Sequence, residues 1–307
     1  VTVITNQTPF YGESGGQMGD AGTISGASMR GEVTDTAKPL GRLHAHQVTI
    51  AEGELKVGDV VSLKIDINRR DALRANHSAT HLLHAALRNR LGGHVTQKGS
   101  LVAPDRLRFD FSHNQAVAPD EMALIEADVN AQIRGNRSVT TRLMTPDDAV
   151  AAGALALFGE KYGDEVRVLS MGDAQGANYS VELCGGTHVN ALGDIALFTV
   201  ISEGAVASGI RRVEALTGEA ARQHLAGREA QLKDIASMLK TAPDEVAGRV
   251  ETLLSARKRL EKELADAKTA LAALEGRHPE LALPGKHAIA HHLIRAFVDK
   301  SWGKSGR

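Results

Sequence analysis

The chain has 307 residues, enough for two domains of about 100 to 200 residues each, and its 42% hydrophobic and 24% charged residues exclude a disordered chain. Lys plus Arg (36) nearly balances Asp plus Glu (37), so the formal net charge of −1 excludes a whole-molecule basic field, and 3% aromatics argue against a base-stacking platform for single strands. No apolar run approaches the roughly 18 residues of a membrane span, and one cysteine, Cys184, excludes an internal disulfide.

Residues 1 to 65 read as a small β-barrel. Short runs rich in Val, Ile and Thr (Val1 to Ile4, Gly31 to Thr34, His46 to Ile50, Val60 to Ile67) alternate with Gly-rich turns. Between the first two runs lies Thr8-Pro-Phe-Tyr-Gly-Glu-Ser-Gly-Gly-Gln-Met-Gly-Asp20, too rich in Gly for a helix and too polar for a simple hairpin. A structured loop is the plain reading of these residue types. The chain opens on Val within a strand-like alternation, as if cut from something longer. With no charged-then-apolar leader, a reducing, cytoplasmic setting is the default expectation.

At Asn68 the period changes to that of a helix, with Asn68 as its expected cap and Gly92-Gly93 as its stop. A hairpin follows (Val95 to Val102, Arg106 to Phe111). Next comes a helix from Pro119 carrying Met122, Ile125, Val129 and Ile133 at helical spacing. A strand over Ser138 to Met144 leads to a helix begun by Pro146, and strands are expected around Glu165 to Leu169, Asn178 to Leu183 and Ile195 to Ile201. This irregular interleaving predicts an α+β domain over residues 66 to 216, with helices on one face of a sheet.

Beyond Thr217-Gly218 the strands stop. Val246, Val250, Leu253, Leu260, Leu264, Ala267, Leu271 and Leu274 form an a/d seam interrupted by Arg257, and Leu225, Leu232, Ile235 and Leu239 give a matching stripe before the Thr241-Ala-Pro-Asp turn. Residues 217 to 276 are therefore expected to form an antiparallel helical hairpin or coiled coil, with self-association between two chains as the competing partner for the same seam. Residues 277 to 307, with Pro279, Pro284, histidines and a basic end, receive no fold.

Chemistry concentrates in two places. His77-Ser-Ala-Thr-His81 sets two imidazoles at i and i+4 on one helix face, and His84 extends the stripe by a turn. Alone, such a pair fits surface or buried structural histidines as well. Cys184-Gly-Gly-Thr-His188 adds the chain's one thiol and a further imidazole, completing a four-donor set whose softness selects Zn²⁺. A closed structural site normally recruits more cysteines, so a reactive zinc is favoured, with His188 either a weak ligand or a group behind the ligands.

Nearby, Thr80 can face the pocket or bond back to its helix, and Gln97 and Lys98 point to opposite faces of one strand. Gly185 and Gly186 can offer N–H groups to an oxyanion or simply allow a turn. Arg69, Arg70, Arg74, Arg88, Arg90, Lys98, Arg106, Arg108, Arg211 and Arg212 form a local basic set, either a solvated face or phosphate contacts.

Several of these segments together resemble one family. Asn76-His-Ser-Ala-Thr-His-Leu-Leu-His-Ala-Ala-Leu87, Gln97-Lys-Gly-Ser100, Arg108-Phe-Asp-Phe-Ser-His113, Phe158-Gly-Glu-Lys-Tyr-Gly-Asp164, Glu182-Leu-Cys-Gly-Gly-Thr-His-Val189 and Gly209-Ile-Arg-Arg-Val-Glu-Ala215 look like the editing domain of alanyl-tRNA synthetases. The Thr8 to Asp20 segment looks like the Gly-rich motif of the small barrel before that domain. The likeness runs in order from residue 1 to about 275.

The resemblance implies zinc-dependent hydrolysis of the aminoacyl ester of tRNA(Ala) mischarged with serine or glycine. It implies His77, His81, Cys184 and His188 as the metal motif, and Thr80, Gln97 and His188 as catalytic or substrate-shaping positions. Arg69, Arg70, Lys98, Arg108, Arg211 and Arg212 are then the candidate tRNA contacts. The family's ATP-using aminoacylation domain is expected to precede residue 1, so ligase activity is not expected from this stretch. A free-standing trans-editing deacylase, an inactive zinc-stabilised tRNA-binding module and a threonyl-tRNA synthetase-like domain are the alternatives, the last lacking this barrel and coil.

Overall fold

The computed structural model describes residues 1–154, 165–173 and 176–277. The expected Phe158 to Asp164 motif and the tail from residue 278 onward lie outside the described residues. The chain divides into two compact units, Val1–Gly227 and a second that begins at Arg228.

In the first unit, β1 (Thr2–Val3), β2 (Gly22–Ser25), β3 (Arg30–Ala37), β4 (Ala45–Glu52) and β5 (Ser62–Ile65) form one antiparallel sheet in the order β1-β4-β3-β2-β5. The sheet stays open, which corrects the expectation of a closed barrel. Closure requires the edge strands to meet, and here β1, two residues long, pairs only with β4, while β5 pairs only with β2. Phe10, Ile24, Met29, Val33 and Val48 make its core. The strand β2 was not foreseen: Gly22 at one end and Ser25 at the other disguise a four-residue strand whose one buried residue is Ile24.

The helix α1 (Ile67–Leu91) begins two residues earlier than expected. Asp66, not Asn68, is its cap, because the Asp66 carboxylate accepts from the Arg69 amide at 3.1 Å. It ends as expected at Gly92, with Arg88 and Arg90 in the last turn, where cations complement the helix dipole. From Ala75 to Leu87 every residue is buried. A helix apolar or buried all round belongs in the middle of a domain, and α1 is the axis on which the rest is assembled.

Around it lie β6 (Gln97–Val102), β7 (Leu107–Ser112), α2 (Pro119–Gly135), β8 (Thr140–Met144), α3 (Pro146–Ala151), β9 (Val166–Met171), β10 (Ser180–Leu183), β11 (Phe198–Ala207) and β12 (Ile210–Thr217). They make two antiparallel sheets rather than one: β11-β12-β7-β6 and β10-β9-β8. Met122, Ile125, Val129 and Ile133 of α2 are buried as their spacing requires, in one cluster with Leu82, Leu83, Phe109, Phe111 and Val213. The segment expected as a strand from Ile195 begins instead with a 3-10 turn, Leu192–Ile195, before β11.

The helices α4 (Gly218–Leu239) and α5 (Val246–Arg277) lie where the heptads put them, separated by a 3-10 turn at Pro243–Glu245. Leu253, Leu260, Leu264, Leu271 and Leu274 are 42% to 56% exposed, and Leu225, Leu232 and Ile235 are similarly open. A heptad repeat fixes which face wants a partner, not which segment supplies it. Among the described residues no helix is long and apolar enough to cross a membrane.

Candidate metal centre

The two motifs meet at α1. His77 and His81, one helical turn apart, have ring centroids 5.0 Å apart, and the loop after β10 brings His188 to 4.4 Å from the His77 ring. One donor atom from each of His77, His81, Cys184 and His188 lies within 4.8 Å of the others. Cys184 Sγ is 3.5 Å from His77 Nε2 and 3.3 Å from His188 Nε2. Donors around a tetrahedral zinc, with bonds of about 2.0 to 2.3 Å, stand roughly 3.3 to 3.6 Å apart, and the two Cys184 separations match that spacing.

The outward nitrogens are fixed as well. His77 Nδ1 lies 2.7 Å from Gln17 Oε1, His81 Nδ1 lies 2.8 Å from Glu182 Oε2, and His188 Nδ1 lies 3.4 Å from Ser78 Oγ. Each imidazole is thus held by Nδ1 and turned so that Nε2 is the free donor, the arrangement typical of metal-binding histidines. His81 Nε2 is buried and has no hydrogen-bond partner, as a metal-directed nitrogen should be.

Burial alone pushes the Cys184 thiol up, but the adjoining His77 and His81 imidazoles, with hydrogen bonds from His188 and His77, hold it well below the usual thiol range. Burial and the neighbouring His77 lower His188 to about 3. Burial lowers His81 too, yet the Glu182 carboxylate and Cys184 outweigh it and raise His81 to about 10. Glu182 is itself held far below its ordinary range: burial opposes its charge, and His81 and His84 overcome that opposition. The half-buried Cys184 and the three imidazoles together offer the soft donors that a dication such as zinc takes.

The backbone is shaped to the same purpose. A Cβ on Gly186 would lie 2.1 Å from His77 Cε1, so only glycine lets the ring sit there. Arg167 Nη1 donates to the Gly186 carbonyl. The Gly-rich segment inserts against β6: Met18 N donates to Val102 O at 3.0 Å, and Val102 N donates to Gly16 O at 2.7 Å. Gly16, at φ +84°, has no room for a Cβ against Ser100. This insertion delivers Gln17, fully buried, to the four-donor cluster, where Oε1 also accepts from Thr187 N at 2.9 Å and Nε2 donates to Thr187 Oγ1 at 2.8 Å.

Gln17 and Glu182 were missed as site residues. Gln17 carries no sign of its reach across the chain. Glu182 did give a signal: it stands on β10 two positions before Cys184, the residue that follows the strand's end.

Other expected site residues are placed variously. The Thr80 hydroxyl donates back to Asn76 O at 2.8 Å, the commoner fate of a helical Thr, and Gln97 Nε2 donates to Ser100 Oγ at 3.2 Å. Arg70 is buried in an ion pair with Asp20 and also donates to Pro9 O, so it braces the Gly-rich loop rather than facing a phosphate. Arg69 donates to Gly19 O at 3.2 Å in the same brace. Arg211 and Arg212 form bidentate pairs with Glu203 and Asp110. Arg108 is half-buried, and Lys98 is exposed.

Residues 1–69 match the family described as tRNA synthetases class II (A), and residues 166–214 match the threonyl and alanyl tRNA synthetase second additional domain. The chain is 72% identical over 275 residues to an alanine-tRNA ligase of Sphingopyxis alaskensis, covering 89% of this chain and 31% of that protein. It is 65% identical to the alanine-tRNA ligase of Rhizorhabdus wittichii (92% and 33%) and 60% identical to that of Parvibaculum lavamentivorans (97% and 35%). The chain spans about a third of the length of these relatives. Across the stretch it spans, the chain belongs to the alanyl-tRNA synthetase family.

Proposed function

We propose that this chain hydrolyses the ester joining serine or glycine to the terminal ribose of mischarged tRNA(Ala). The observation that carries the reading is the convergence of His77, His81, Cys184 and His188 on one point in a chain that matches the second additional domain. The need for such a site follows from discrimination limits. An alanine pocket rejects glycine by one methyl, worth about 1 to 3 kcal/mol, and rejects an added hydroxyl only weakly.

His77, His81, Cys184 and His188 would hold a Zn²⁺ ion. The ion would supply Lewis-acid polarisation and a docking point for the amino group or the serine hydroxyl. The protein's own groups do the rest. Gln17 and Glu182 hold His77 and His81 by Nδ1, keeping both Nε2 lone pairs inward. Water attacks the ester carbonyl, the ribose oxygen leaves with a proton, and free amino acid and intact tRNA result. Thr80 and Gln97 are the residues assigned to shaping the choice between serine and alanine. Lys98, exposed beside Gln97, is the best-presented phosphate contact among the expected basic residues.

The test is incubation of the purified chain with Ser-tRNA(Ala) and Ala-tRNA(Ala), with Cys184→Ala and His77→Ala alongside. Selective release of serine that both substitutions abolish is expected. Equal release by wild type and variants, or none despite zinc and tRNA binding, overturns the proposal in favour of a tRNA-binding module. A ligase reaction would require the remaining two-thirds of the relatives' length.

A further inference from the structure

We infer that Glu182 and His84 are positioning residues for His81: one carboxylate, shared between two imidazoles, fixes the ring orientation and tautomer of the ligand. The inference rests on the metal reading above. Glu182 is 3% exposed, and each of its oxygens serves a different ring. Oε2 lies 2.8 Å from His81 Nδ1, and Oε1 lies 3.1 Å from His84 Nδ1 and 3.2 Å from the Ser180 hydroxyl.

An ionised carboxylate only accepts, so both imidazoles must donate through Nδ1–H. In the neutral ring that metal ligation requires, the Nε2 of each is then the lone-pair nitrogen. His81 Nε2 then belongs to the four-donor cluster, but His84 Nε2 does not. It is buried without a partner, and its ring lies 5.3 Å from that of Phe109. A buried acceptor left unpaired is tolerated better than a buried N–H, so the pocket around His84 agrees with the tautomer that Glu182 dictates.

The third histidine of the α1 stripe, at the spacing of a ligand, is therefore not a ligand. It ties down the second oxygen of the carboxylate that aims His81. Of the three Nδ1 acceptors at the centre, Glu182 alone is charged, so His81 is the imidazole whose basicity is raised most by its partner. A glutamine at 182 cannot replace it, because its amide offers one acceptor oxygen and an N–H face, and one of the two imidazoles must then turn over or move its proton to Nε2.

The experiment uses the purified chain, zinc-loaded and cobalt-loaded. In long-range ¹H–¹⁵N spectra of histidine-labelled wild type with zinc, His81 and His84 are expected to carry the proton on Nδ1. Glu182→Gln is expected to lower zinc affinity 10- to 100-fold in chelator competition and to alter the cobalt absorption bands. His84→Phe is expected to weaken zinc by a smaller factor. Melting of the apo chains identifies any variant that fails to fold, and the wild-type spectrum needs no variant.

A proton on Nε2 of His81 in the zinc-loaded wild type, or a folded Glu182→Gln chain with zinc affinity within threefold of wild type, overturns the inference alone. A wild type that binds no zinc overturns it together with the metal reading.

Discussion

Gln17 Oε1 and His77 Nδ1, sixty positions apart, are joined at 2.7 Å, and this contact runs from the N-terminal sheet's Gly-rich loop to the helix that carries the metal motif. The same amide engages Thr187 through both its oxygen and its nitrogen. Gln17→Ala is expected to leave the Thr187 N–H unpaired in the interior, at a cost of about 1 to 3 kcal/mol. It should also weaken zinc roughly 10- to 100-fold by freeing the His77 ring. Denaturant titration and chelator competition measure the two effects, and a variant unchanged in both would show that the contact is incidental.

The two glycines of Cys184-Gly-Gly-Thr-His188 should behave oppositely. A Cβ at Gly186 would overlap the His77 ring, whereas one at Gly185 meets nothing within 4 Å. Gly186→Ala is expected to displace His77 and cost zinc binding at least tenfold, while Gly185→Ala stays within about 0.5 kcal/mol of wild-type stability. Comparable zinc affinity in the two variants would contradict the packing described.

Asp20 and Arg70 form a nearly inaccessible ion pair, their side chains 1% and 10% exposed. Asp20→Asn leaves a guanidinium without its counter-charge, and a loss of about 3 to 5 kcal/mol in unfolding free energy is expected. Because Asp20 also accepts from Tyr11 N, the Gly-rich loop should loosen with it and become accessible to protease. A loss below 1 kcal/mol would argue that the pair is not structural.

His46 is fully buried, and burial, aided by His44, lowers its pKa despite the Nδ1 contact to the Val3 carbonyl. Its folded pKa lies below the ordinary value of 6.5, so the unfolded chain binds the proton first as pH falls. The stability this histidine contributes is complete above about pH 6.5 and declines as pH drops from there toward the folded pKa. His46→Gln should flatten the acid side of the stability curve in urea titrations between pH 5.5 and 7.5. An identical slope in both chains would remove His46 as its source.

Salt should distinguish exposed from paired basic residues. Lys98→Ala is expected to reduce the slope of log K against log salt for tRNA binding by up to about one. Arg212→Ala should change it less, since Asp110 already neutralises that guanidinium. The reverse order would reassign the tRNA face.

Periodicity made α2 legible, because its buried face repeats every three or four residues after Pro119, whereas α1, buried all round in its middle, was bounded by the glycines that stop it. The four candidate donors were legible only from the two motifs together: His77 and His81 share a helix face, a weak sign alone, and Cys184 with His188 completes the set. What escaped was whatever depends on meeting between distant segments. Nothing in the composition of Thr8 to Asp20 says that Gln17 reaches His77, or that Arg70 turns inward to Asp20 instead of outward. Sheet closure failed for a related reason: strand length and edge pairing, not the count of β-rich runs, decide whether a sheet becomes a barrel. The heptads of α5 likewise describe a face without naming its cover.

The inserted Gly-rich loop also bears on inheritance. Residues 66 to 216 look self-sufficient on paper, with every donor atom inside them, yet the acceptor that orients His77 lies outside, at position 17. A chimera that transplants that segment alone would receive the ligands without one of their guides. A recombination point between β5 and α1 should therefore be disfavoured, because it separates Gln17 from His77.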